Sequence, residues 1–168
     1  IAVNGNGRTV TLRADDLYVQ AAVQVPAGVI NILPETAGRA VTLGGTGAGS
    51  LALTTAEIER LGAGGATLSA PAALRLRIGS DGTLRTAGDI LVTGDVTLRD
   101  GATVRVGTLE LVAGQSGSAG GSVRQTGGSV DVATVTGTAQ DDFRLGLDGN
   151  AFDIATGIAA GTLPTEGA

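Results

Sequence analysis

Leu74-Arg75-Leu76-Arg77-Ile78 alternates aliphatic with charged side chains. In an extended chain this puts residues 74, 76 and 78 on one face and Arg75 and Arg77 on the other, the pattern of a strand with one dry side. The same phrase recurs along the chain. It reads Val10-Thr11-Leu12-Arg13, Ile30-Asn31-Ile32, Val41-Thr42-Leu43, Leu51-Ala52-Leu53, Val96-Thr97-Leu98-Arg99, Val104-Arg105-Val106, Leu109-Glu110-Leu111 and Val130-Asp131-Val132. Gly, Asn, Asp, Ser and Thr fill the intervals, as turns require. By the same alternation Arg105, Glu110, Arg124 and Asp131 face outward, as do Thr11, Thr42 and Thr97. Each inward Val, Leu or Ile contributes roughly 1.5–3 kcal/mol by burial. An outward pair of opposite charges on neighbouring strands contributes about 0.2–1 kcal/mol. Burial dominates, and the charges set register and solubility.

Taking one strong phrase per winding gives Val10, Ile30, Leu51, Leu74, Leu91, Leu109 and Val130. The intervals scatter around a single value of about 20 residues, in the range expected of stacked repeats. The sequence therefore predicts an all-β fold, a parallel β-helix (solenoid) of about seven coils, about 34 Å long at the usual strand spacing. One segment departs from the alternation. Thr54-Thr55-Ala56-Glu57-Ile58-Glu59-Arg60-Leu61-Gly62 carries Thr and, three positions later, Glu, a capping box, then Ile58 and Leu61 on one helical face and a terminating Gly. This predicts a short helix near residues 55–61. Pro26 and Pro71 mark loops or strand ends. Past residue 138 the alternation weakens, so residues 1–138 are assigned to the β-helix segment and 139–168 to an irregular terminal coil, cap and linker. Phe143 and Phe152 are placed at the end of the core.

Composition agrees with a thin interior. Gly accounts for 29 of 168 residues, about 17 per cent against about 7 per cent in ordinary proteins. Tyr18, Phe143 and Phe152 are the three aromatic residues. A narrow core of Val, Leu, Ile and Ala has little need of large rings. All 11 basic residues are Arg, as coding bias in a GC-rich bacterium would produce, and the net charge of −5 argues against nucleic acid as a partner. The missing Met and an opening in mid-phrase at Ile1 give the expectation of a segment from a longer protein. No apolar run is long enough to cross a bilayer.

With neither His nor Cys, a His-based triad, thiolate catalysis and ordinary zinc sites are excluded. The adjacent acids are Asp15-Asp16 and Asp141-Asp142. They suit calcium ligation or acid–base work only with help, since neighbours in a strand point to opposite faces. The plainer expectation is that they are solvated or cap backbone N–H groups. The Gly-rich tracts 44–49 and 114–121 lack the GK[S/T] ending of a phosphate loop and are expected to be corners. Residues 62–66 lack the Asp of a calcium-binding nonapeptide. No catalytic, cofactor-binding or metal-binding residue is assigned, and no cofactor is expected.

The run Ile32-Leu33-Pro34, Gly38-Arg39-Ala40-Val41-Thr42-Leu43-Gly44, Leu51-Ala52-Leu53-Thr54, Ala56-Glu57-Ile58-Glu59-Arg60-Leu61 and Leu76-Arg77-Ile78-Gly79 resembles repeat regions of filamentous-haemagglutinin-type adhesins. Val10-Thr11-Leu12-Arg13-Ala14-Asp15-Asp16-Leu17, Gly88-Asp89-Ile90-Leu91-Val92 and Leu109-Glu110-Leu111-Val112-Ala113-Gly114 are similar in style, so the resemblance spans roughly residues 5–135. It implies a right-handed β-helix from a large, extracellular surface protein of a Gram-negative bacterium. Such proteins are exported through a partner outer-membrane β-barrel transporter and act in adhesion, biofilm or filament formation. The expected function is that of a structural or adhesive stalk segment without enzymatic activity, meeting a host or neighbouring-cell receptor or glycan. A glycan-binding or glycan-processing β-helix is the alternative, together with a self-associating filament subunit.

Overall fold

The computed structural model describes residues 7–23, 25, 27–62, 74–100, 104–116 and 120–154. Pro26, Pro71, residues 63–66 and 117–119 of the Gly-rich tracts, and the tail from 155 lie outside the described residues. In chain order the elements begin with β1 (Thr9–Arg13), β2 (Val29–Leu33), β3 (Val41–Leu43), β4 (Leu51–Leu53) and helix α1 (Thr55–Gly62). β5 (Arg75–Ile78), β6 (Ile90–Val92), β7 (Val96–Thr97), β8 (Arg99–Asp100) and β9 (Val104–Arg105) follow. β10 (Thr108–Val112), β11 (Val123–Gln125), β12 (Val130–Thr138), β13 (Phe143–Arg144) and β14 (Ala151–Ile154) complete the set.

Two parallel sheets result. The larger has seven strands in the order β1-β2-β5-β10-β12-β14, with β7 also paired to β12, and the smaller has five in the order β13-β11-β6-β3-β4. Their inner faces are aliphatic ladders held in register. Ile30, Leu76, Leu109 and Val135 are successive partners in the larger sheet. Val41, Ile90, Val123 and Phe143 are successive partners in the smaller one. All eight are at most 1% exposed and belong to one core. The inward set 74, 76 and 78 is buried, while Arg75 is exposed and Arg77 half-buried.

This architecture corrects the expected right-handed β-helix of about seven coils. Thr9 pairs with Val29, Val29 with Arg75, Arg75 with Thr108 and Thr108 with Thr134. The step along the chain more than doubles from the first of these pairings to the second, then shortens over the next two. Equivalent coils would keep one interval. In the smaller sheet Val41 pairs with Leu51, one short turn further on, and also with Ile90, far down the chain. β4 therefore lies outside β3 against chain order, and β8 pairs antiparallel with β9. The described residues form a sandwich of two parallel sheets with one short helix. Its strand order, with crossovers of unequal length, is closer to that of an α/β sandwich than to a solenoid. The physical reason is that alternation fixes which face of a strand is buried but leaves its neighbour undetermined. Phrases of equal spacing then pair with partners that are not equally spaced.

The short parallel step from β3 to β4 needs an explanation, because parallel strands usually require a connection of a dozen or more residues. Here residues 44–50 suffice. Gly44 and Gly49 take φ of 78° and 77°, which most side chains resist. Thr42 Oγ1 and Ser50 Oγ then hydrogen-bond at 2.8 Å across the turn. Thr42, expected on an open outer face, is consequently 4% exposed. Asp131 is likewise covered, at 7% exposed, by Arg105, whose Nε donates to Asp131 Oδ1 at 2.7 Å. β13 and β14 extend the two sheets past residue 138. Phe143 is fully buried, and Phe152 packs half-buried against the core.

Candidate functional site

Three polar arrangements stand out, and each grows from the strand pattern. The first crosses the outer face of the larger sheet, where Thr11, Asn31, Arg77, Glu110 and Thr136 are successive register partners. Asn31 Nδ2 donates to Thr11 Oγ1 at 3.1 Å, and Arg77 donates from NH1 to Asn31 Oδ1 at 3.4 Å and from Nε to Glu110 Oε2 at 3.0 Å. Arg75 NH1 reaches the same Glu110 oxygen at 3.3 Å. Asn31 is 1% exposed because residues 80–85 fold over it, closed by a bridge between Ser80 and Arg85, and Asp81 O accepts from Asn31 Nδ2. The turn is capped by Asp81, whose Oδ1 accepts from Leu84 N at 2.7 Å and Thr83 N at 2.8 Å. Those two donors hold the Asp81 carboxyl below its ordinary range.

The second arrangement is a polar cavity of about 350 Å³ bounded by Gly38, Gly88, Asp89, Gln115, Gly121 and Asp141. Asp89 Oδ1 accepts from Ser122 N at 2.8 Å, and Asp141 Oδ2 from Gly121 N at 3.2 Å. Of the adjacent acids predicted from sequence, Asp141 lines this cavity, while Asp142 pairs with Arg144 at 2.6 Å. Asp15 and Asp16 lie elsewhere. Both sit 3.9 Å from Arg39, and Asp15 Oδ1 accepts from Thr36 N at 2.8 Å. The Thr36 hydroxyl first, then its N–H, lower the Asp15 carboxyl against a small opposing effect of burial. The two acid pairs are thus split between separate places: Asp15 and Asp16 share Arg39, while Asp141 and Asp142 serve different partners. Among the described residues no group of three or more His, Cys, Asp or Glu gathers to hold a metal ion.

The third arrangement is a recurring clamp, in which an oxygen from one segment accepts the backbone N–H of another. Asp95 Oδ1 takes Ser129 N, and Asn150 Oδ1 takes Val130 N, at 2.8 and 2.9 Å. Asp15, Asp89 and Asp141 do the same to Thr36, Ser122 and Gly121. Glu57 is the most enclosed case, at 9% exposed. Its Oε2 accepts from Thr54 N and Thr54 Oγ1, completing the predicted capping box, and its Oε1 accepts from Val19 N at 3.0 Å. Burial pushes the Glu57 carboxyl up, but the hydrogen bonds from Thr54 and Val19, with Arg60 nearby, outweigh it and leave it lowered. The sequence signalled Glu57 only as a cap. Its reach to Val19 and the burial of Asn31 were not signalled, because both depend on contacts between distant segments.

Compared with known proteins, the chain matches no family model, no curated protein and no solved structure. Among the described residues no helix is long and apolar enough to cross a membrane.

Proposed function

We propose that the chain is a structural, adhesive segment of a large surface-exposed bacterial protein, as its resemblance to filamentous-haemagglutinin-type adhesins implies. On this proposal it is non-catalytic, leaves the cell through an outer-membrane β-barrel transporter, and meets a receptor or glycan on a host or neighbouring cell. The observation that carries the structural role is the repeated clamp. Side chains at residues 15, 57, 89, 95, 141 and 150 hold backbone amides of segments distant along the chain. Side chains used this way stiffen a surface module, because each bond ties together segments that would otherwise separate. A second reading, glycan binding, is favoured by the cavity beside Asp89, Gln115 and Asp141, whose carboxylates and carboxamide suit sugar hydroxyls.

Beads coated with the purified chain test the proposal in a cell-attachment assay. Saturable attachment that the soluble chain competes away is the expected result. Attachment no better than to albumin-coated beads overturns the adhesive role, and release of reducing sugar from cell-surface polysaccharide overturns the non-catalytic one. Loss of attachment in Asp141→Asn, with the fold intact, moves the contact to the cavity and favours glycan binding.

A further inference from the structure

The segment 17–23 lies against α1 as a strap, and α1 grips it at both polar groups of a single residue. Val19 N donates to Glu57 Oε1 at 3.0 Å, and Val19 O accepts from Arg60 NH1 at 2.9 Å. Val23 N donates to Arg60 O at 3.0 Å. Beneath the grip, Val19 joins Ile58 and Leu61 in the core, all at most 6% exposed, and Leu17 and Val23 pack against the same core half-buried. Asp16, Tyr18 and Gln20 alternate with Leu17 and Val19 and are exposed.

We propose that α1 and the strap form an acid-released clasp with Glu57 as its latch. Loss of the Glu57 charge detaches residues 17–23 and uncovers the apolar seat of Val19, Ile58 and Leu61 while both sheets remain folded. The geometry supplies the reason. Both Glu57 oxygens face hydrogen-bond donors, Val19 N on one side and Thr54 N and Oγ1 on the other. A neutral carboxyl carries a hydrogen on one oxygen: on Oε1 it faces Val19 N–H, donor to donor, and on Oε2 it faces Thr54 N–H, where only the Thr54 hydroxyl can turn to accept it. The remaining bonds also lose their ionic component, which roughly halves them. Arg60 on α1 favours the charged form. The other charged or titratable groups around the clasp are Glu59 on α1, Asp15, Asp16 and Tyr18 on or next to the strap, and Asp95 beside β7. Asp15 is engaged by Thr36, and Asp95 is engaged through its carboxylate by Ser129. Local release is expected because, among the described residues, the strap's hydrogen bonds go to α1, whereas the strands of each sheet are held to one another by ladders.

The chain offers its own reporter, since Tyr18 is its sole Tyr and it has no Trp. The full chain is titrated from pH 7 to pH 3, with Tyr18 fluorescence anisotropy, far-ultraviolet circular dichroism and the amide-exchange protection factor of Val19 read in parallel. The expected result is a fall in Tyr18 anisotropy and at least a tenfold fall in Val19 protection at a pH where the sheet signal is unchanged. Glu57→Gln is expected to lower Val19 protection at least tenfold at pH 7 and to abolish the acid step, while Glu59→Gln leaves both as in the parent chain. Coincident loss of Val19 protection and sheet signal overturns the clasp. So does an acid step that persists in Glu57→Gln or vanishes in Asp15→Asn. Should Glu57→Gln fail to fold, the titration of the parent chain and of Asp15→Asn still decides.

Discussion

Gly94 and Gly44 meet backbone to backbone. A Cβ on Gly94 would lie 2.0 Å from Gly44 O, and one on Gly44 would lie 2.2 Å from Gly94 C. Gly128 joins them, since its Cβ would fall 2.1 Å from the same Gly94 carbon. Three corners from the turns after β3, β6 and β11 therefore stack without side chains, and this lets the strands of the smaller sheet keep their register.

Gly94→Ala is accordingly expected to destabilise the chain by about 3 kcal/mol or more, since backbone must shift to admit the methyl group. Gly49→Ala is the control. Unlike Gly94 it has a left-handed φ, 77°, but nothing lies within 4 Å of its Cβ, so the cost is backbone strain alone, about 1 kcal/mol. Urea unfolding curves of the two variants measure the difference, and equal costs would remove the stacked corner from the account.

Arg77 is held by two partners, Glu110 and Asn31, and is 16% exposed, whereas Arg75 shares the same Glu110 oxygen at 45% exposed. Arg77→Ala is expected to cost about 2 kcal/mol, as for a charged hydrogen-bonding group removed from partly buried partners. Arg75→Ala should cost no more than about 0.5 kcal/mol, as surface ion pairs do. A double-mutant cycle between positions 77 and 110 should give a coupling near about 1 kcal/mol. A coupling indistinguishable from zero would reduce the ladder to solvated charge.

The contrast between Arg75 and Arg77 marks the boundary of what the sequence makes legible. Alternation identifies both as outward and Leu74, Leu76 and Ile78 as inward, because side-chain direction is a property of the strand itself. The Thr54–Glu57 capping box is equally local and announces α1 within a residue of its place. Which strand lies beside which is not local. The tight turn that carries β3 into β4 and the long step from Val29 to Arg75 break the even rhythm from which coils were expected. The cavity is not local either. Asp89 and Asp141 stand far apart in the chain and meet only through β6, β11 and β13.

Ala27 supplies a prediction of opposite sign. It is the non-glycine residue with a left-handed φ, 53°, among the described residues. Such a conformation costs an L-residue about 1–2 kcal/mol, which glycine avoids while adding some unfolded-state entropy. Ala27→Gly is therefore expected to stabilise by about 0.5 kcal/mol, the strain relieved less the entropy added. A melting temperature that falls would mean that the Ala27 methyl group makes contacts worth more than the strain.

The dependence of stability on pH follows from the carboxylates. Asp15, Glu57 and Asp81 are all lowered in the folded chain, so each binds its proton less readily there than when unfolded. Their stabilisation is complete above the unfolded values, near about 4 for such groups, and is lost as pH falls through the lower folded values. The chain has no His and no Cys, so nothing with an ordinary side-chain value titrates between pH 6 and 8. Unfolding free energy is therefore expected to be flat over that interval and to decline below about pH 4. Asp81→Asn keeps an oxygen facing Thr83 N and Leu84 N but removes one of the groups whose folded and unfolded proton occupancies differ. Its acid limb should be shallower than that of the parent chain, with the neutral plateau little changed. Denaturant titrations at half-unit pH steps measure both limbs. An Asp81→Asn limb as steep as the parent's would place the acid sensitivity outside the 80–85 turn, and a rise in stability on acidification would contradict all three assignments.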